Sequence, residues 1–139
     1  MNRMNEVQRI DCGLLPQSIS AGNEIGDYYS LKDHRQALAI GSCGALTSGQ
    51  TLTVSLMEAE DTDGTNAQAL TSATATYTAP AEGVASAVVY VEVEHFSLSD
   101  GFNSVAVKVA TTATIECAAI LLRGDPRESV SQDATGTVL

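Results

Sequence analysis

Aromatic residues are scarce in this chain. Its 139 residues include no Trp, two Phe and four Tyr, so most of the apolar volume of a core has to come from Val, Leu, Ile and Ala. A domain of about this length buries roughly two-thirds of the surface that its unfolded chain exposes, which is enough for one core without disulfide or metal support. Small side chains suit a thin interior, such as the space of about 10 Å between two packed sheets.

Basic residues are also few. Seven Lys and Arg stand against 17 Asp and Glu, which gives a net charge of -10 and an isoelectric point near 4.3. Phosphate binding needs clustered Lys and Arg, and here they are scattered, so we expect no contact with nucleic acid. The acidic surface is expected to keep the chain soluble or to complement a basic patch on a protein partner.

Long apolar runs are absent too. No stretch reaches the roughly 18 to 20 apolar residues of a membrane span. Residues 1–6 lack the apolar segment of a secretory signal. The sequence therefore predicts a chain that is made in the cytoplasm and does not contact a membrane.

The three cysteines indicate neither a zinc site nor a disulfide framework. Cys12, Cys43 and Cys117 are odd in number and widely spaced, with no CxxC pair and no His at ligand spacing. Cys43 and Cys117 each lie in an apolar, Ala-rich run, where a free Cys behaves as a small hydrophobic residue. We expect reduced, buried thiols.

From residue 27 onward, short runs of β-forming residues alternate with turn residues. The period of two predicts strands at 28–31, 36–43, 51–58, 73–78, 86–94, 104–110 and 114–122, with a short segment at 68–70. In 51–58, Leu52, Val54 and Leu56 share one face, which predicts one buried and one wet face. In 86–94, Val occurs on both faces, which predicts burial of at least part of that strand on both sides.

Seven or eight such strands without a useful amphipathic helix predict a single all-β domain of the β-sandwich or jelly-roll type, with a barrel as the alternative. We place this sandwich at residues 24–123. Residues 1–23, where Gly13, Pro16 and Gly22 interrupt any helix, are predicted to form an extended arm that either wraps its own domain or lies on a neighbour. Residues 124–139 are predicted to form an extended tail.

Groups suited to catalysis are few. His34 lies in a polar stretch that predicts a surface turn, and His95 lies at the end of a predicted strand. Nothing beyond residue identity pairs either with a nucleophile. No phosphate-binding loop, dinucleotide fingerprint or Gly-x-Ser-x-Gly motif occurs. We predict no enzymatic activity, no catalytic residue and no cofactor.

Glu58, Glu60, Asp61 and Asp63 raise the question of a calcium site, because calcium prefers several oxygen ligands from one short loop. Asp61 and Asp63 precede Gly64 as in a fragment of an EF-hand, but no third Asp and no bidentate Glu follow at the required offsets. The sequence favours a solvated hairpin tip and no metal site.

Arg123-Gly124-Asp125 spells a tripeptide that some cell-surface receptors recognise on exposed loops. The structural alternative is that Gly124 and Pro126 end the last strand and turn the chain, with Arg123 and Asp125 exposed. We favour this alternative.

Several segments, taken in order, carry a family resemblance. They are GDYYSLKD at 26–33, LTVSLMEA at 52–59, AQAL at 67–70, VYVEV at 89–93, GFNSVAVKV at 101–109 and DPR at 125–127. This succession resembles the small structural proteins found near capsid genes in tailed bacteriophages, which include β-sandwich and jelly-roll decoration, or cement, proteins on the outside of heads. The resemblance covers roughly residues 20–130.

The resemblance implies a capsid decoration protein that is present in many copies on the virion surface. Its partners would be the major capsid protein and further copies of itself, with a homotrimer as the specific expectation. A head–tail joining, tail or fibre-associated virion protein is the alternative. A carbohydrate- or receptor-binding module is a third class and would need exposed aromatic platforms. Tyr28, Tyr29, Tyr77, Tyr90, Phe96 and Phe102 are available, most at positions expected in the core.

Overall fold

A computed structural model of the chain describes the backbone of residues 8–126 and the side chains of residues 8–124. The fold is almost entirely β. Its strands are β1 (Gln8–Ser20), β2 (Asn23–Ile25), β3 (Tyr29–Ser30), β4 (His34–Cys43), β5 (Thr51–Ala59), β6 (Gln68–Thr78), β7 (Ala87–Glu94), β8 (Ser104–Thr111) and β9 (Thr114–Pro126). One 3-10 turn, His95–Ser97, follows β7. The predicted all-β class is confirmed.

The strands form two antiparallel sheets. The four-stranded sheet has the order β1-β9-β4-β7, and the five-stranded sheet has the order β2-β8-β5-β6, with β3 also paired to β8. The core lies between the two sheets, so the predicted β-sandwich is confirmed. No helix among residues 8–126 has the length and apolar character needed to cross a membrane.

The core combines small and large aliphatic side chains. In the four-stranded sheet β4 contributes Ala37 and Ala39, and opposite it β5 contributes Leu52 and Leu56. The buried alternation predicted for residues 51–58 is confirmed, because Leu52, Val54 and Leu56 are fully buried. Small side chains on one side let the sheets approach closely, which suits a chain poor in aromatic residues.

Gly41 in β4 lies where the two sheets approach each other closely. A Cβ atom added there would lie 2.4 Å from Cγ2 of Val54 in β5. A methyl group does not fit at that distance, so Gly41 is required by packing rather than by a turn.

The structure joins two segments that the sequence separates. Residues 68–70 and 73–78 belong to one strand, β6, and its pairing with β5 shifts register between Ser55 and Met57. Across this shift β5 advances by two residues, from 55 to 57, and β6 by five, from 69 to 74, so β6 contains extra residues that interrupt the alternation of faces. The interruption in the sequence pattern therefore marks a bulge inside a strand.

Residues 8–20 of the predicted arm form β1, an edge strand that pairs with β9 from Gln8 to Ser20. Of the two alternatives, the structure shows the first for these residues, because they pack on their own domain. The sandwich therefore includes residues before 24. It also includes residues 124–126 of the predicted tail, which continue β9. Residues 1–7 of the arm and 127–139 of the tail lie outside the described residues.

Candidate interaction surface

β4 and β9 are apolar on both of their faces. Their inward residues belong to the core, and their outward residues are Leu38 and Ile40 in β4, and Ala118, Ile120 and Leu122 in β9. These outward residues are all partly or largely exposed. Strands with apolar residues on both faces are usually covered on both sides. Here the core covers only one side.

Register aligns these outward residues into rows across the sheet. Ile40 lies between Ile120 of β9 and Tyr90 of β7, and Leu38 lies between Leu122 of β9 and Glu92 of β7. The next row pairs Ser42 with Ala118 and Val88. We call the apolar members of these rows, with Ile10 of β1, the outer apolar face: Ile10, Leu38, Ile40, Val88, Tyr90, Ala118, Ile120 and Leu122.

β7 shows that this face is open to solvent in the described part of the chain. Its inward residues Val89, Val91 and Val93 are buried, whereas Val88 is 65% exposed and Tyr90 is 67% exposed. Ile120 in β9 is 48% exposed. The prediction that β7 is partly buried on both sides is wrong for the described chain, because no described segment covers its outer side.

Acidic residues border the outer apolar face. Glu92 and Glu94 lie on its β7 side, and Glu116 lies beyond Ala118 in β9, all three exposed. The outward residues of β4 from 36 to 42, of β7 from 88 to 94 and of β9 from 114 to 122 include no Lys or Arg. Protein interfaces have the same pattern, with few charges at the centre and polar residues at the rim. We call Glu92, Glu94 and Glu116 the acidic rim.

The opposite face of the sandwich is polar. The outward positions of β5 and β6 include Thr53, Ser55, Thr74 and Thr76, and the hydroxyl oxygens of Thr53 and Thr76 lie 2.9 Å apart in a hydrogen bond. Hydroxyl side chains remain well hydrated on an exposed sheet. Hydroxyl side chains therefore prevail at these positions of β5 and β6, whereas the outward rows of β4, β7 and β9 contain Ile, Leu, Val and Tyr.

The prediction that His34 lies on a surface turn is wrong. Its backbone N–H donates to the carbonyl of Leu31, and the ring is only 4% exposed. Neither ring nitrogen has a hydrogen-bond partner. Burial lowers the pKa of His34, and the nearby Arg123 guanidinium lowers it further. His34 is therefore a neutral packing residue. His95 lies in the 3-10 turn after β7 and is partly exposed, as predicted for the end of that strand.

All three cysteines are free thiols. Cys43 and Cys117 are buried, as predicted, and face each other across β4 and β9. Cys12 is only partly buried. Burial raises the pKa of Cys117 to about 11, with a further contribution from Cys43. At neutral pH Cys117 is therefore a protonated and weakly nucleophilic thiol.

Glu58 is not part of a solvated loop, contrary to the prediction. It is 1% exposed, and its carboxylate accepts hydrogen bonds from the backbone N–H of Ser99 at 2.8 Å, from the Ser99 hydroxyl and from the Gln68 amide at 2.6 Å. Burial raises the pKa of Glu58, but the hydrogen bonds from Ser99 and Gln68 outweigh burial, so its pKa is lowered overall. Glu58 ties the β5–β6 connection to the turn at 97–101.

The carboxylate of Asp61 accepts several hydrogen bonds within the tip of the hairpin. Its Oδ1 accepts the backbone N–H groups of Asp63 at 3.0 Å and Thr65 at 3.1 Å, and its Oδ2 accepts the Thr65 hydroxyl at 2.7 Å. These bonds, the Thr65 hydroxyl first, lower the pKa of Asp61. Asp63 is exposed, and Glu60 accepts a bond from the Asn66 amide. Within residues 8–126, no group of three or more His, Cys, Asp or Glu is arranged to hold a metal ion.

Arg123 is not exposed on a turn. It lies inside β9, and its guanidinium donates to both carboxylate oxygens of Asp11 and, at 2.8 Å, to the backbone carbonyl of Ser30. It also stacks 5.4 Å from the centre of the Tyr29 ring. The prediction that the strand ends before Arg123 is wrong. The arginine of the Arg-Gly-Asp tripeptide therefore makes its hydrogen bonds within the domain.

The six aromatic residues are less buried than predicted. Tyr29 and Tyr77 pack against the core, but Tyr90 and Phe96 are largely exposed. Sequence analysis missed the outer apolar face for the same reason, because it assigned apolar strand residues to burial within the domain. The signal was present in residues 114–122, which are apolar on both alternating faces.

No protein-family model matches the sequence, and none of the curated proteins matches it. Several solved structures align with most of the chain, among them the following three. The structure of Bacillus endospore appendages, which are disulfide-linked pili, aligns over 91% of this chain and 95% of its own, with 16% identity and a TM-score of 0.38. The structure of Desmodium yellow mottle tymovirus aligns over 97% of this chain and 94% of its own, with 9% identity and a TM-score of 0.42. The structure of YomS, a protein derived from the SPBc2 prophage, aligns over 87% of this chain and 99% of its own, with 11% identity and a TM-score of 0.37. At these identities and TM-scores the likenesses carry no argument about function.

Proposed function

We propose that the chain is a non-enzymatic structural protein of a phage-type virion, incorporated through its outer apolar face. The observation that carries this proposal is the apolar row of Ile120, Ile40 and Tyr90 across one sheet, in which Ile120 and Tyr90 are exposed and Ile40 is partly exposed. A contiguous apolar patch on a soluble domain marks a surface that another molecule covers. The resemblance of residues 20–130 to structural proteins of phage heads favours a phage head as the assembly that contains the chain.

The titratable groups of the described chain support a structural role. The Glu58 carboxylate accepts hydrogen bonds from Ser99 and Gln68, the Asp61 carboxylate accepts hydrogen bonds within the hairpin tip, and Asp11 is paired with Arg123. A catalytic acid or base needs a free position near a substrate. These groups instead hold strands and turns together.

The specific role we propose is that of a capsid decoration, or cement, protein. It would bind the outer surface of the assembled head, contact the major capsid protein and bridge neighbouring capsid subunits, in many copies and as a homotrimer. A protein that binds only the assembled lattice stabilises it by mass action. Bridging adjacent subunits multiplies weak contacts through effective concentration.

Light scattering after size-exclusion chromatography, followed by cosedimentation with capsid shells that carry or lack the chain, tests this role. We expect a trimer that binds shells lacking the chain and raises their resistance to heat. A ring-sized oligomer without affinity for shells contradicts decoration and supports a head–tail joining or tail role.

A further inference from the structure

We infer that the outer apolar face is the surface that meets the capsid shell, and that the shell presents there an apolar strip flanked by Lys or Arg side chains. The inference rests on the proposed function and names the surface and the partner's chemistry. Two features of the face select this occupant over a second copy of the chain. They are the negative charge of the acidic rim and the small area of the outer apolar face.

The rim favours a basic partner. Glu92 and Glu94 border the face along β7, Glu116 borders it on β9, and the outward residues of β4 from 36 to 42, of β7 from 88 to 94 and of β9 from 114 to 122 include no Lys or Arg. Two copies placed face to face would bring two acidic rims together in a chain of net charge -10. Like charges across an interface are unfavourable, whereas a basic flank would complement them and speed association.

The area also argues against a self-sufficient dimer. Four strands about 4.8 Å apart and three rows of outward residues about 7 Å apart give a footprint on the order of 400 Å². Two copies would therefore bury about 800 Å² in total, below the roughly 1,200 to 2,000 Å² of a stable interface. A contact of this size suits a lattice, where each copy binds weakly and neighbouring contacts add to it.

The central test compares two isoleucines on opposite sheets. Ile120 is 48% exposed on the outer apolar face, and Ile25 is 41% exposed on β2 of the five-stranded sheet. We expect Ile120→Ser, alone or with Tyr90→Ser, to weaken binding to shells lacking the chain by about tenfold or more, as for the central residues of an interface. Ile25→Ser should bind like the unmodified chain. Circular dichroism and thermal melting verify that the variants are folded.

Salt dependence tests the chemistry of the partner. Shell binding of the unmodified chain should weaken as NaCl is raised, because salt screens attraction between the acidic rim and a basic flank. Glu92→Gln with Glu94→Gln should reduce this dependence. The matched control is Glu82→Gln with Asp100→Asn, which removes two exposed acids elsewhere and should leave the salt dependence unchanged.

The outcomes separate the inference from the proposed function. If the unmodified chain does not bind shells, both fail. If it binds and Ile120→Ser binds equally well, decoration stands and the assigned surface is wrong. If sedimentation velocity of the free chain shows self-association that Ile120→Ser abolishes and salt strengthens, a second copy covers the face and the inference is overturned.

Discussion

Arg123 and Asp11 form a two-point ion pair between β9 and β1, with Nε 2.6 Å from Oδ2 and Nη2 3.0 Å from Oδ1. Their side chains are only 12% and 7% exposed. The pair lies near the end of the sheet where β1 starts and β9 finishes, since Arg123 is opposite Arg9. It fastens the edge strand to the sandwich and, through the Ser30 carbonyl, to β3 on the other sheet.

Removing one partner of this pair should be costly. We expect Arg123→Met to lower the free energy of unfolding by about 3 kcal/mol, because it leaves the Asp11 carboxylate largely buried and without its bidentate partner. Arg9, which is half exposed and lies 3.7 Å from Asp11, provides the control. Arg9→Met should cost less than about 1 kcal/mol. Equal costs in urea unfolding would show that the buried pair has no special role.

Val91 and Val88 test the alternation of β7 with the same substitution on two faces. Val91 is 7% exposed and Val88 is 65% exposed. Val91→Asp should prevent folding, because it buries a charge without a partner. Val88→Asp should change the stability of the free chain by less than about 0.5 kcal/mol. Circular dichroism and urea titration distinguish the two results, and a folded Val91→Asp variant would contradict the assigned faces.

The close approach of the sheets at Gly41 predicts sensitivity to a single methyl group. Gly41→Ala should destabilise the fold by about 1 to 3 kcal/mol, because the added Cβ would overlap the Val54 side chain. Gly44, just after the same strand, has open space where a Cβ would be placed. Gly44→Ala should therefore be close to neutral. Thermal unfolding of both variants checks the pair, and equal melting temperatures would rule out steric contact at Gly41.

His34 should make the fold sensitive to mild acid. Its pKa in the folded chain is lowered from 6.5 by burial and by Arg123, so the unfolded chain binds the proton more readily. The nearby Asp11 and Asp33 carboxylates act in the opposite direction, and Arg9 acts with Arg123. The contribution of neutral His34 to the free energy of unfolding is therefore fully present above about pH 6.5 and is lost as the pH falls through the lowered pKa.

Urea midpoints measured from pH 7.5 to pH 5 test this expectation. His34→Phe should remove the loss in that range, and His95→Gln should retain it. Glu58 also has a lowered pKa, so its contribution disappears only below its ordinary value of 4.5. A loss of stability between pH 7 and pH 5 that survives in His34→Phe would contradict the assignment to His34.

Two aspartates of the hairpin tip should behave differently. Asp63 is exposed, and Asp63→Asn should leave the melting temperature unchanged. Asp61→Ala should lower it, because the bonds to Thr65 and to the Asp63 backbone are lost. Melting with calcium chloride and with EDTA provides the second readout. A strong, calcium-dependent effect of Asp63→Asn would show that the tip binds the cation.

Much of the fold could be predicted from short-range pattern. Alternation in β5 identified Leu52, Val54 and Leu56 as core residues, and turn residues located the β5–β6 hairpin. The pattern was weakest in β1, where Gly13 and Pro16 interrupt it. Pairing with β9 nevertheless forms that strand, since an edge strand tolerates irregular positions.

The candidate surface depended on relationships between distant strands. The sequence by itself determined that β4, β7 and β9 are strands and that several of their residues are apolar on both faces, because alternation is a local property of the backbone. Only the tertiary structure decided that Ile40, Ile120 and Tyr90 share a row, that His34 is buried and that Arg123 pairs with Asp11. Those contacts join residues far apart in the chain, and their register and layer are set by the packing of two whole sheets.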